Sequence, residues 1–266
     1  FTIVEIGAKP LDGEKSKPRF YKLLNYYPSS EIIGFDIEKE VCEEMNSKAT
    51  KGITYYPHAL GEKNEKRKLY ITEHPMCTSL YKPNEKLLNL YHELQYMNLK
   101  KETEIETITL DSFVDKYSID EIDFLKIDVQ GAELDIFKGA KKSLNNVLKI
   151  VCEVEFIPLY HDQPLYGDIN KFLNQHNFMF NKFLGLSGRT LKPLVANKDK
   201  TVASQHMWTD AVFIKHIEKI QSLSDERLLK LSLLSAIYNS FDLTFFCLSI
   251  YDKKNSTSLA NDWMNK

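Results

Sequence analysis

Two short apolar runs, each stopped by an acid and a glycine, constrain this chain most: IVEIGAKPLDG over residues 3–13 and FLKIDVQGAE over residues 124–133. A strand reads as a continuous apolar run when helices cover both faces of a parallel sheet. Ligands of such sheets bind beyond the carboxyl ends of the strands. An acid placed where the apolar run stops therefore sits where chemistry is expected. Here the pattern recurs: Glu5 ends the first run, Asp36 ends EIIGFD, Asp128 ends FLKID, and Glu153 with Glu155 end IVCEVE. Four strands that share one acidic edge point to a site along that edge.

Strand and helix patterns alternate at ~30-residue spacing through the first half of the chain, which argues βαβ units and an α/β fold with a mostly parallel sheet. Strands are expected over 2–7, 31–37, 53–60, 124–128 and 147–156, with helices over 19–27, 39–50 and 132–144. An extra strand is expected over 67–72 and another over 103–110, followed by a short helix capped by Asp111. Between them, Leu87, Leu88, Tyr91, Leu94 and Met97 recur at helical spacing, which predicts a helix over 84–99 capped by Asn84. Asp168 is expected to cap a helix ending near His176, and 178–186 and 209–215 to form the last strands. The pattern then changes to two helical segments, 225–238 and 243–252, with Ser224 and Asp242 as N-caps. The expected organisation is a catalytic sheet over 1–217 and a helical extension over 218–266. The apolar tail helices are a surface on which the domain is capped or a second copy joined.

Bulk properties exclude more than they assign. The net charge of -2 gives no broad footprint for nucleic acid or an anionic membrane. No apolar stretch approaches the ~20 residues of a membrane span, and no signal-peptide pattern is present. Cys42, Cys77, Cys152 and Cys247 lie far apart and match no metal or redox spacing, a usage that suits a reducing, cytoplasmic setting. The chain begins directly in a strand at Phe1, as a piece of a longer protein would.

The loop after the first strand narrows the ligand. A dinucleotide fingerprint needs G-x-G-x-x-G, with the pyrophosphate on a helix N-terminus. This chain has Ala8 and Lys9 after Gly7, and its next glycine is Gly13. An acid before the first glycine suits a ligand with a cationic amino-acid end better than a diphosphate; S-adenosylmethionine has such an end. Asp36, at the end of the second strand, stands where nucleoside-binding sheets place a carboxylate for ribose hydroxyls.

The motifs IVEIGAKPLDG, IIGFD, PHALGEKNEKRKLYIT, ITLDSF, FLKIDVQGAELDIFKGA and CEVEFIPLYHDQPLY together resemble the FkbM family of class I methyltransferases over most of residues 1–217. The resemblance implies a Rossmann-like sheet with an antiparallel last strand. It also implies S-adenosylmethionine-dependent O-methylation of a carbohydrate or other small polar acceptor. Carried over by position, Glu5, Gly7, Ala8 and Gly13 would line the methionine end of the donor, and Asp36 with Ile37 the ribose. His58 and Ala59 would flank the adenine, and Asp128 would lie nearest the sulfonium. The family commonly has Glu followed by Pro where this chain has Asp36 and Ile37.

O-methylation needs an in-line approach of a hydroxyl oxygen and removal of its proton. Asp128 is the expected orienting group or base, with Lys126 on the same strand face to tune it. Glu153 and Glu155 share one strand face because side chains alternate with period two. Glu153 is expected to contact acceptor hydroxyls beside Asp128, and Glu155 either to contact the acceptor or to reach solvent. Tyr160, His161 and His206, with Trp208, are expected on loops overhanging this edge as a rim for the acceptor. Nothing in the spacing demands a metal. Two alternatives stand beside this reading: a nicotinamide-dependent sugar oxidoreductase or epimerase, and a non-catalytic interaction module that retains the fold.

Overall fold

The computed structural model describes residues 1–9, 18–195 and 202–265, so Gly13 lies outside the described residues. The chain runs through β1 (Thr2–Ile6), α1 (Leu23–Tyr26), β2 (Glu31–Asp36), α2 (Lys39–Lys48), β3 (Ile53–Pro57), β4 (Ala59–Leu60) and β5 (Glu65–Thr72). It continues through α3 (Glu85–Leu88), β6 (Leu99–Ile108), α4 (Leu110–Tyr117), β7 (Phe124–Ile127), α5 (Glu133–Lys138), β8 (Lys149–Glu155) and α6 (Tyr166–Gln175). The last part comprises β9 (Phe178–Phe183), β10 (Ser187–Gly188), β11 (His206–Lys215), α7 (Ile217–Ile220), α8 (Asp225–Ile237), α9 (Phe241–Asn255) and α10 (Leu259–Met264).

The main sheet has the order β10-β11-β8-β7-β1-β2-β3, with β9 also paired to β11. Strands β3, β2, β1, β7 and β8 are parallel, and β11 runs antiparallel to β8 and to β9. Period-two alternation sorts the side chains. Val4, Ile6, Leu125, Ile127, Ile150 and Cys152 enter the core on one face, against Phe113 of α4 and Phe137 of α5. Ile3, Phe124, Val151 and Val212 enter the other, against Leu228, Leu231 and Leu234 of α8 and Cys247 of α9. Burying each such leucine contributes about 1.5–3 kcal/mol. The helices after β11 are therefore part of the second core. On that second face each strand is apolar at its amino end and charged at its carboxyl end. Glu5 follows Ile3, Lys126 follows Phe124, and Glu153 and Glu155 follow Val151.

Several expected boundaries differ from the structure. The apolar stripe over 84–99 is not one helix. It consists of α3 and a 3-10 turn, Gln95–Met97, joined by a loop in which Glu93 has φ 61°. Backbone bonds from His92 to the Thr190 carbonyl and from Lys192 to the Leu90 carbonyl take this segment out of helical register. Leu88, Tyr91, Leu94 and Met97 are still buried, in a third small cluster with Leu159 and Met207. The extra strands β4, β6 and β5 form a separate three-stranded sheet.

Thr109, not Asp111, caps α4; the Asp111 carboxylate instead accepts from the Lys142 and Ser143 amides. Asp168 lies inside α6 and accepts from the Leu165 amide, and α9 starts after Ser240 rather than Asp242. Asn84 and Ser224 cap α3 and α8 as expected. No described helix is long and apolar enough to cross a membrane.

Candidate active site

The charged carboxyl ends of β1, β7, β8 and the facing part of β11 form the floor of a cleft of about 1390 Å³. Register brings the charges together: Glu5 lies beside Lys126 across β1 and β7, and Glu153 beside Asp210 across β8 and β11. Lys126 is the cation among them. Its Nζ lies 2.8 Å from Asp210 Oδ1 and 3.5 Å from Asp128 Oδ2. Burial opposes its charge, but Asp128 and Asp210 outweigh burial and hold the ammonium protonated well above its usual range.

Asp128 and Glu153 are driven apart. Burial works against the Asp128 charge, yet Lys126, a hydrogen bond with Glu153 and one from Gln130 pull its carboxyl below the ordinary range. Burial, with repulsion from Asp128 and Glu155, pushes Glu153 well above it. The two carboxyls are thus shifted in opposite directions, Asp128 toward its anion and Glu153 toward its protonated form. Gln130 bridges them, donating from Nε2 to Asp128 Oδ1 at 3.0 Å and to Glu153 Oε2 at 2.6 Å. The amide is held in place from behind. Tyr160 Oη is 3.3 Å from Gln130 Oε1, and Ser79 Oγ donates to the Gln130 carbonyl at 2.6 Å.

Glu155 also lines the cleft but is 1% exposed, and burial with repulsion from Glu133 and Asp128 raises its carboxyl strongly. Glu133 opens α5, where the helix dipole favours an acid. It is fully buried, and its Oε1 accepts from the Val129 and Gly131 amides at 3.0 and 3.2 Å. Burial and the nearby Asp128 nevertheless push it up to about 7. A carboxyl with a higher pKa folded than unfolded binds its proton more tightly in the fold. Its contribution is therefore complete below the ordinary carboxylate range and is lost as pH rises through about 7. Glu133→Gln keeps an acceptor for both amides and removes the charge. The stability advantage of E133Q over wild type, from urea midpoints, is expected to grow by on the order of 2 kcal/mol between pH 5 and pH 8. An equal difference at both pH values would contradict this origin of the shift.

The other end of the cleft is built by β1, β2 and β3. Glu5 is buried, and Tyr21 Oη donates to its Oε2 at 2.7 Å; Tyr21 and Tyr55 hydroxyls are 2.9 Å apart. Gly7 and Ala8 both donate their amides to the Phe35 carbonyl, turning the chain sharply at the strand end. The half-buried Asp36 is raised by burial, and its Oδ1 accepts from the Glu38 amide at 2.9 Å. Ile37, His58 and Ala59 line the same wall, and burial lowers the His58 imidazole.

Of the residues singled out in the sequence, Glu5, Gly7, Ala8, Asp36, Ile37, His58, Ala59, Lys126, Asp128, Glu153 and Glu155 are brought together around this cleft. Three expected rim residues do not line it. Tyr160 is fully buried because its hydroxyl is tied to the Cys77 carbonyl at 2.9 Å, so it supports Gln130 from below. His161 is exposed, with its amide donating to the Lys82 carbonyl; His206 is exposed at the start of β11. Trp208 does line the cleft, from β11 rather than from a loop. Asp210, Gln130, Tyr21, Arg189 and Tyr238 are additional lining residues that the sequence reading passed over. Among the described residues no group of three or more His, Cys, Asp or Glu side chains is placed to hold a metal ion.

A parallel sheet flanked by helices, continued by antiparallel strands on one side and carrying its acids on the carboxyl ends, is the class I methyltransferase architecture. The chain belongs to the FkbM methyltransferase family, whose methyl donor is S-adenosylmethionine: the family model "Methyltransferase FkbM domain" matches residues 17–180. Among solved structures the chain is similar to methyltransferase FkbM from Methylobacillus flagellatus KT, at 15% identity and TM-score 0.42, over 80% of this chain and 44% of that one. It is also similar to magnesium protoporphyrin IX methyltransferase from Synechocystis PCC 6803 with bound SAM, at 10% identity and TM-score 0.37, over 80% and 69% of the two chains. The chain thus spans less than half the length of the first of these. Comparison with curated proteins found no match.

Proposed function

We propose that this chain is an S-adenosylmethionine-dependent O-methyltransferase acting on a hydroxyl of a carbohydrate or other small polar acceptor. In this reading residues 1–217 form the catalytic domain and 218–266 a helical extension. The observation that carries it is the Asp128–Glu153 pair, two adjacent carboxyls on the cleft floor bridged by the Gln130 amide, with Asp128 shifted down and Glu153 up. Such splitting assigns one group to accept a proton and the other to donate a hydrogen bond.

The residues of the other wall fit the donor. Glu5 offers a buried carboxylate to a cationic amino-acid end, and Asp36, whose Oδ1 accepts from the Glu38 amide, stands on the wall where a ribose hydroxyl would be taken. Gly7 lets the end of β1 lie against the Asp128 backbone, where an ideal Cβ would stand 1.9 Å from the carbonyl oxygen, and so keeps the donor wall next to the floor. S-adenosylmethionine supplies an electrophilic methyl group when bound. The ionised Asp128 accepts a hydrogen bond from the acceptor hydroxyl and takes its proton, while protonated Glu153 donates to a neighbouring acceptor oxygen. Lys126 keeps Asp128 anionic, and Gln130 fixes the distance between the carboxyls. The four cysteines are free and buried, which supports a cytoplasmic setting.

Calorimetric titration with S-adenosylmethionine, with NAD as the comparison ligand, tests the donor. Binding of the methyl donor but not of NAD is expected. Asp36→Ala is expected to weaken it ~10- to 100-fold, the worth of hydrogen bonds to a charged group. Donor binding with no turnover on any acceptor would favour the non-catalytic alternative, and preference for NAD would favour the oxidoreductase.

A further inference from the structure

The floor of the cleft is acidic, but its rim beyond Trp208 is not. Trp208 pairs with Glu155 and Asp210 with Glu153 in the β11–β8 register. Trp208 therefore projects on the acidic face, two residues or ~7 Å along the strand from Asp210. Over its ring, 4.9 Å from the centroid, lies the guanidinium of Arg189. An indole face holds a guanidinium by cation–π attraction and fixes its plane.

Arg189 lines the cleft, with a side chain 17% exposed. Its Nη1 donates to the Gly188 carbonyl at 2.9 Å, which sets the orientation of the fork. Its Nε makes no hydrogen bond; the carboxylate facing it is Glu93 Oε2 at 3.5 Å, on a side chain 55% exposed. Only the Glu93 end of this pair is exposed, where solvent screens it, and the Tyr96 hydroxyl is a second partner of the guanidinium. Lys100 and Lys101, on β6, line the same cleft, and neither makes an ion pair within 4.0 Å among the described residues. A stacked and oriented guanidinium, in a cleft that Lys100 and Lys101 also line, is a receptor for an oxyanion. A planar fork matches carboxylate and phosphate oxygens in pairs.

We propose that Arg189, stacked on Trp208, selects acceptors bearing a carboxylate or phosphate group, so that the anion is held at the rim while the reacting hydroxyl is presented to Asp128 and Glu153 on the floor. This rests on the acceptor-hydroxyl reading above and adds to it the charge of the substrate. The opposed charges of rim and floor also fix which end of the acceptor enters first. A neutral sugar can offer Arg189 hydroxyl acceptors but neither the charge nor the paired oxygens of an oxyanion.

The test uses the full chain saturated with S-adenosylhomocysteine, titrated at low salt with methyl β-D-glucopyranoside, D-glucuronate and glucose 6-phosphate. At least one anionic sugar is expected to bind tenfold or more tighter than the neutral one, and which of the two prevails identifies carboxylate or phosphate as the source. Arg189→Gln is expected to abolish that preference with S-adenosylhomocysteine affinity unchanged, which shows the fold intact. Arg189→Lys, which keeps charge but not the fork, is expected to retain only part of it. Equal binding of neutral and anionic sugars, failure of both anionic sugars to bind, or a preference that survives in R189Q would each overturn the proposal. Failure to bind S-adenosylhomocysteine at all would instead overturn the donor reading, so the two are distinguishable.

Discussion

Replacing Asp128 by Asn is expected to lower methyl transfer by ~10²–10⁴-fold, the range associated with losing a positioned base. The substitution is nearly isosteric, so the effect is one of charge and hydrogen bonding. One Asp128 oxygen accepts from Gln130 Nε2 and the other faces Lys126 Nζ. Whichever way the new amide turns, its nitrogen meets a donor. Glu153 at the same time loses the anion with which it shares a hydrogen bond, so both halves of the pair change state. The measurement is the initial rate of S-adenosylhomocysteine formation with the acceptor that the sugar titrations identify, alongside the donor dissociation constant. A loss confined to donor affinity would move Asp128 wholly into the donor site, and an unchanged rate would remove it from the proton path.

Gly7→Ala is expected to cost about 3 kcal/mol or more in stability and to abolish donor binding. At φ 79° an L-residue is already strained by roughly 1–2 kcal/mol. More important is where the methyl group would go: an ideal Cβ lies 1.9 Å from the Asp128 carbonyl oxygen. That oxygen belongs to backbone pinned by the Asp128 amide donating to the Ile6 carbonyl, so neither strand end can yield without the other. Gly185→Ala is the control. Its φ is 107°, but nothing lies within 4 Å of the added carbon, so only the dihedral strain of about 1–2 kcal/mol is expected. Equal losses in urea denaturation of the two variants would mean that the close approach of β1 to β7 does not matter.

The parallel strands were legible because each enters from the amino end, runs apolar through the core and meets its acid on leaving. Glu5, Asp36, Asp128 and Glu153 all follow that rule. Asp210 escaped it for a topological reason. Strand β11 is antiparallel, so it passes the cleft on its way in, and its acid precedes the apolar run AVFI. A search of both ends of each strand would have found it. Gln130 escaped because a search for charge overlooks an amide whose role is to join two acids. Tyr160 was misplaced because a tyrosine in a polar loop reads as exposed, whereas its hydroxyl finds a buried carbonyl. The stripe from Leu88 to Met97 shows that burial can be read where backbone cannot. Its apolar spacing was a true record of what is buried, and contacts with residues 190–192, about a hundred positions away, decided that the chain is not helical there.

The stretch by which this chain is recognised is not the stretch that folds. The family match covers residues 17–180. It omits β1, which lies between β7 and β2 in the middle of the sheet, and β11, which carries Asp210 and Trp208. It also omits α8, whose leucines close one face and whose last turn leads to Tyr238, stacked on Phe124 beneath the cleft. A fragment cut to the recognisable boundaries would have a gap where its central strand belongs. The family model marks residues 17–180; the physical unit is set by which surfaces must be covered, and that unit begins before the match and ends well after it.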